Sequence, residues 1–169
     1  MRWLARWLKR EARGRQVCFC VIACVIAKFA YVLCATWIFY LLKIDVPVAP
    51  HKTKILISTP EFPLILTVMV FFEEGLFRLP LAIAVERNWS LKTVLACALV
   101  LSAIFGFCHG GIHHIFLQGV GGIMLSVLFL KCGGAQKNYA KAFTATSAAH
   151  FLFDEVLVLL LLATGATSL

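Results

Sequence analysis

The chain has 169 residues, of which 62% are apolar and only 14% charged, with a mean hydropathy of +0.92. Soluble domains hold about 45–50% apolar and about 25% charged residues. This composition therefore excludes a soluble globular enzyme, a secreted disulfide scaffold and a disordered tail, and leaves an integral membrane protein. The net charge of +8 invites a nucleic-acid reading, but its distribution argues against one. Arg2, Arg6, Lys9, Arg10, Arg13 and Arg15 stand against Glu11 alone in residues 1–16, so much of the excess is one segment beside the membrane. Such a segment is an orientation signal that attracts anionic lipid headgroups. Trp3, Leu4, Trp7 and Leu8 alternate with its charges at helical spacing, which predicts a basic amphipathic helix at the interface over residues 1–16.

Five apolar runs follow and predict an all-α, polytopic bundle of about five transmembrane helices filling residues 17–169 as one unit. The first runs from Val17 to about Leu42, broken only by Lys28. A loop holding Pro47, Pro50, Pro60 and Pro63 leads to the second, about Phe62 to Val85. The third covers about Leu91 to His109, where Gly110 and Gly111 break the pattern. The fourth runs from about Ile115 to Leu130, and a polar turn from Lys131 to Asn138 precedes the fifth, Tyr139 to about Ala163. With the N-terminus in the cytoplasm, eleven Lys and Arg in the end segments and turns face inward against three, Lys43, Lys52 and Lys54, outward. That bias predicts a cytoplasmic N-terminus. The seven cysteines lie mostly inside apolar runs with no CxxC pair, and read as small buried hydrophobes.

Ionisable side chains at membrane depth are costly and usually functional. Apart from Lys28 they fall into three clusters. In Glu73–Arg78, Glu74 and Arg78 are four residues apart on one helical face and able to pair. Glu73 lies about 140° around the helix from Arg78 and is left available, as a general base would be. In Phe105–His114, His109 ends the third run, while His113 and His114 read as interfacial loop residues. The spacing of His109 and His113 also allows a metal site on adjacent turns. In His150–Glu155, His150 and Asp154 share a face, so the carboxylate can orient the imidazole or join it around a ligand. Counting residues along the helices puts Glu73 and His150 near the midplane. His109 lies nearer the outer face, so its helix has to tilt or bend to join them.

The order, spacing and placement of Glu73-Glu74-x-x-x-Arg78, Phe105-x-x-x-His109 and His150-x-x-x-Asp154 resemble the signature of the CPBP intramembrane proteases, also called the CAAX-protease and bacteriocin-processing, or Abi, family. The similar region covers about residues 62–160. The resemblance implies that Glu73, assisted by His109, activates water. It also implies that His150 and Asp154 polarise the scissile carbonyl and stabilise the oxyanion, while Glu74 and Arg78 support the site. It leaves the metal open: Glu73, His109, His150 and Asp154 could hold Zn, whereas a glutamic-type mechanism needs no cofactor. Two departures stand out: Asp154 occupies a position where many members have Asn, and many members have more than five spans.

The implied partners are the lipid bilayer and a membrane-associated protein or peptide substrate, with no nucleic acid, and the implied location is a bacterial inner membrane. Three other readings remain at this point. Cys108 could be a nucleophile paired with His109, or the chain could bind a bacteriocin or a membrane partner without catalysis. A transporter is the third, although no internal repeat or polar path along the helices supports it.

Overall fold

The computed structural model describes residues 2–44 and 61–163; the proline-rich part of the long loop, with Pro47, Pro50, Pro60, Lys52 and Lys54, lies outside them. The described residues form α1 (Arg2–Lys9), α2 (Arg15–Leu41), α3 (Phe62–Glu86), α4 (Leu91–Cys108), α5 (Ile112–Lys131) and α6 (Tyr139–Ala163). The fold is an all-α polytopic bundle. Four of these helices, α2, α4, α5 and α6, are long and apolar enough to cross a membrane. The 25 residues of α3 are also long enough, but Glu73, Glu74 and Arg78 sit in the middle of its otherwise apolar sequence.

Local chemistry sets the helix ends. Pro63 stands in the first turn of α3, where a missing N–H costs nothing. The Ser90 hydroxyl accepts the Thr93 N–H at 3.2 Å and caps α4. Asn88 leaves α3 with a left-handed φ of 54°. Gly111, with φ 84°, makes the turn between α4 and α5 that a residue with a Cβ adopts only under strain. Large apolar side chains such as Phe19, Leu33, Phe72 and Leu159 are 61–74% exposed. In a bundle of this composition they face hydrocarbon.

Helix α6 packs against α2, α3 and α5, and α4 packs against α3 and α5. The tightest approach joins the end of α4 to the start of α5. A Cβ on Gly106 would stand 2.5 Å from the His114 carbonyl oxygen, and one on Gly119 would stand 2.9 Å from that of Ser102. Glycine alone allows two backbones so close. Along this contact Ile115–Gly119 takes a π-helical turn, and the Tyr31 hydroxyl from α2 donates to the Phe116 carbonyl there.

Two apolar cores fill the half of the bundle next to α1. Leu81, Ala84, Val94, Ala98, Phe129 and Ala142 pack in one; Val21, Leu125, Leu128, Ala145 and Ala149 pack in the other. Leu8 joins the first core and Ala12 the second, each 1% exposed. The N-terminal segment is thus docked onto protein, in addition to the lipid contact expected from its amphipathic pattern. Lys131 Nζ donates to the Trp7 carbonyl at 2.7 Å and to that of Arg10, and lies over the Trp7 ring. Gln136 donates to the Leu8 carbonyl at 2.8 Å, and Lys141 pairs with Glu11 at 2.7 Å. These bonds tie α1 and the residues after it to the end of α5, the turn that follows and the start of α6.

Candidate active site

The three sequence clusters meet in the middle of the bundle, beyond the apolar cores. Helix α3 presents Glu73 and Glu74 in directions about 100° apart, and the two carboxylates have different surroundings. Glu74 is 1% exposed and held from two sides. Arg78 donates to it through Nε at 2.9 Å and Nη2 at 3.2 Å, while its Nη1 donates to Ser126 Oγ of α5 at 2.8 Å. Ser126 in turn donates to the Gly122 carbonyl. The bidentate pair fixes both groups, because a buried guanidinium and carboxylate satisfy each other in this geometry. Ser126 is a support that the sequence clusters do not reveal: a lone serine in an apolar run has no signature.

Glu74 Oε1 is also 3.0 Å from His150 Nδ1. A carboxylate paired with arginine can only accept, so Nδ1 carries a proton. His150, 3% exposed, then turns Nε2 toward Asp154 Oδ2 at 3.4 Å and Glu73 Oε2 at 3.9 Å. Both ring nitrogens therefore face carboxylates. Phe105 supports the ring edge-on, with centroids 5.9 Å apart.

His109 is the C-cap residue of α4. Its Nδ1 is 2.7 Å from the Phe105 carbonyl oxygen, one of the last-turn acceptors that a helix leaves unsatisfied. A carbonyl only accepts, so Nδ1 donates and Nε2 is left bare in the neutral ring. That Nε2 is 3.7 Å from Glu73 Oε1. The height mismatch expected for His109 is absorbed without a break in α4. Side chains lean toward the N-terminus of their own helix. Since α3 and α4 are consecutive antiparallel neighbours, Glu73 and His109 lean toward each other.

The six polar residues of the three motifs, Glu73, Glu74, Arg78, His109, His150 and Asp154, are thus brought together, and the seventh, Phe105, packs between the two histidines. Glu73, at 23% side-chain exposure, His109 at 32% and Asp154 at 26% form the accessible side of the cluster; Glu74, Arg78 and His150 form its buried floor. The other two histidines are not part of it. They lie in the first turn of α5 (Ile112–Lys131) instead of a loop. The His113 ring stands edge-on to Phe39, so the His109–His113 pairing suggested by spacing is not made. His114 packs over Gly110. Cys108 is exposed, and neither nitrogen of its neighbour His109 is directed at it.

Among the described residues, no three His, Cys, Asp or Glu side chains are gathered closely enough to hold a metal ion. The donors that zinc would need, Glu73, His109, His150 and Asp154, are spread along a row in which each imidazole faces a carboxylate.

No curated protein and no solved structure is similar to the chain. A family model does match: that of the Rce1-like type II CAAX prenyl endopeptidases, over residues 55–156. The matched stretch is more than half of the chain and contains all six clustered residues. The family, the buried polar cluster and the apolar helices agree on an integral membrane protein of protease type, and the chain belongs to the Rce1-like type II CAAX prenyl endopeptidase family.

Proposed function

We propose that this protein hydrolyses a peptide bond of a membrane-associated protein or peptide through water activated by Glu73. The observation that carries the reading is the pair formed by Glu73 Oε1 and His109 Nε2, 3.7 Å apart. Both atoms accept, and they are too far apart to bond each other. A single water molecule can donate one hydrogen to each, which fixes its oxygen lone pair for attack. As the water oxygen bonds to the carbonyl carbon, Glu73 takes the proton. The C=O π electrons move onto the oxygen, where the His150 Nε2–H donates to the developing charge. His150 serves in this way as an imidazolium, its Nδ1–H held by Glu74. Collapse of the tetrahedral intermediate breaks the C–N bond. The proton on Glu73 passes to the departing amine, and the acid proton left from the water follows it, giving a carboxylate and an ammonium as products.

Arg78 contributes by keeping Glu74 ionised and fixed, which in turn holds His150. Asp154, placed beside His150 Nε2, stabilises the imidazolium and orients it. In this route Glu73 and His109 position the water without a metal. Full activity of the purified protein after exhaustive chelation is the expected outcome, and loss restored by zinc would overturn it.

The substrate in this reading is a dedicated protein or peptide undergoing processing or sorting. The location is a bacterial inner membrane with the N-terminus in the cytoplasm, supported by the eleven-to-three distribution of Lys and Arg. The deciding experiment is mass spectrometry of membrane-protein termini in cells carrying the wild type or Glu73→Gln, which removes the base and nearly preserves shape. New termini that vanish with Glu73→Gln support hydrolysis. A phenotype that persists in that variant supports non-catalytic binding of a bacteriocin or membrane partner.

A further inference from the structure

Cations and acids are unequally shared at the α1 end of the bundle. Eleven Lys and Arg gather there, in residues 1–16 and about the α3–α4 and α5–α6 turns, against two acids, Glu11 and Glu86. Both acids are taken: Glu11 pairs with Lys141 at 2.7 Å and Glu86 with Lys137 at 3.6 Å. Arg6 and Arg10 are exposed and make no ion pair among the described residues. Together with Trp3 and Trp7 they line a cavity of about 240 Å³. The two tryptophan rings stack there, with centroids 6.4 Å apart and planes at 17°.

A second cavity begins at the same tryptophan. It is a groove of about 380 Å³ between α2 and α5, with Cys20, Ala23, Cys24 and Ala27 on one side and Ile123 and Val127 on the other. Residues three and four apart share a helix face, so the small side chains hollow one strip of α2 against the branched ones of α5. Cys20 to Ala27 rises about 10 Å and Ile123 to Lys131 about 12 Å, most of the roughly 15 Å of hydrocarbon in one leaflet. The groove ends at Trp7 and Lys131. There the Lys131 ammonium stands 4.5 Å from the Trp7 ring centroid and is held by two main-chain carbonyls.

The two cavities share Trp7, and their chemistry is opposite. A free phosphate would match the arginines and leave the groove empty; an apolar chain alone would fill the groove and leave the arginines unmatched. One molecule fits both when it carries an anion at one end and a hydrocarbon chain at the other. Tryptophan suits the boundary between them, because its ring is apolar and its edge is polar.

We propose that α1, α2 and α5 form a site for one anionic glycerophospholipid, its phosphate at Arg6 and Arg10 and an acyl chain in the groove beside Trp7. The site is separate from the Glu73 cluster and does not rest on the proteolytic reading. A lipid seated there joins α1 to α2 and α5, so its binding is read as stability.

The full chain is purified in detergent, stripped of lipid, as wild type, as Arg6→Gln with Arg10→Gln, and as Ala23→Leu. Ala23 is exposed, so leucine there fills the groove without entering a core. Thermal unfolding is followed against added phosphatidylglycerol, phosphatidylcholine and inorganic phosphate, and native mass spectrometry counts the lipid retained. Wild type should keep one phosphatidylglycerol and gain several degrees in Tm with it. Phosphatidylcholine and phosphate should each shift Tm by less than about one degree. The concentration giving half the shift should rise about thirtyfold in the arginine variant and about tenfold in Ala23→Leu, with lipid-free midpoints near that of wild type.

An equal shift from phosphatidylcholine would overturn the role of the arginines. An equal shift from inorganic phosphate, or wild-type lipid binding by Ala23→Leu, would overturn the chain in the groove. A lipid-free dimer that Ala23→Leu separates would assign the groove to a second copy of the chain and overturn the proposal. Should a variant fail to fold, the three ligands on the wild type decide.

Discussion

Two groups of charges hold this protein together, and they obey different rules. At the α1 end, Lys131 and Lys141 meet Glu11 and the backbone carbonyls of Trp7, Arg10 and Ala12. Their side chains are partly exposed, so each charge keeps some water and each bond contributes modestly, about 0.5–1.5 kcal/mol. In the middle of the bundle, Glu74, Arg78 and His150 are almost fully enclosed. There a charge without its partner costs several kcal/mol, and geometry is rigid for the same reason. The first group is a fastening, tolerant of substitution. The second is a scaffold that fixes Glu73, His109 and Asp154 at its exposed edge.

The sharpest way to break the comparison is at Arg78. Arg78→Met leaves Glu74 buried without its guanidinium, and should cost about 3–5 kcal/mol of stability, read as loss of folded protein after detergent extraction. Glu73→Gln tests the opposite property, chemistry without structure: cleavage should fall about a thousandfold while the thermal unfolding midpoint stays within a degree or two. Lys141→Met at the fastening should lower stability by about 1 kcal/mol and leave kcat unchanged at a temperature where the protein is folded.

The pH dependence of that fastening is smaller still. The Lys141 hydrogen bond is the main influence holding the Glu11 carboxyl below its ordinary value of 4.5. A depressed carboxyl stabilises the fold above that value and loses its contribution as pH falls through the folded one. The unfolding midpoint of wild type should therefore decline in mild acid slightly more than that of Glu11→Gln. Cys108→Ala should change neither activity nor stability. A large loss of activity there would revive the thiol reading.

Much of this was legible in the sequence because membrane burial simplifies it. The expected runs Phe62–Val85 and Tyr139–Ala163 differ from α3 and α6 by a residue or less, since apolar stretches of spanning length admit only helix. The separate orientations of Glu73 and Glu74 followed from a 100° turn per residue. Ser126 escaped because its partner Arg78 is distant in sequence, and periodicity reports only neighbours on one helix. The docking of α1 escaped for a related reason. Lys131 and Lys141 counted as topology signals, but a side chain that binds main-chain carbonyls looks the same in sequence as one that faces lipid headgroups.

The π-helical turn at Ile115–Gly119 has a consequence for how this fold tolerates insertions and deletions. A π turn is an α-helix carrying one surplus residue. Removing a residue between Ile115 and Gly119 would restore ordinary α geometry, at the cost of the Phe116 carbonyl that Tyr31 now occupies. Such a deletion is absorbed at the turn itself, so Gly121 could stay against Lys28 and Ser126 against Arg78. The same deletion three residues further on would rotate the rest of α5 by about 100° and carry Ser126 away from the guanidinium. Length variation along this helix should therefore be permitted at one place only, a phase joint between the glycine-rich contact and the buried scaffold.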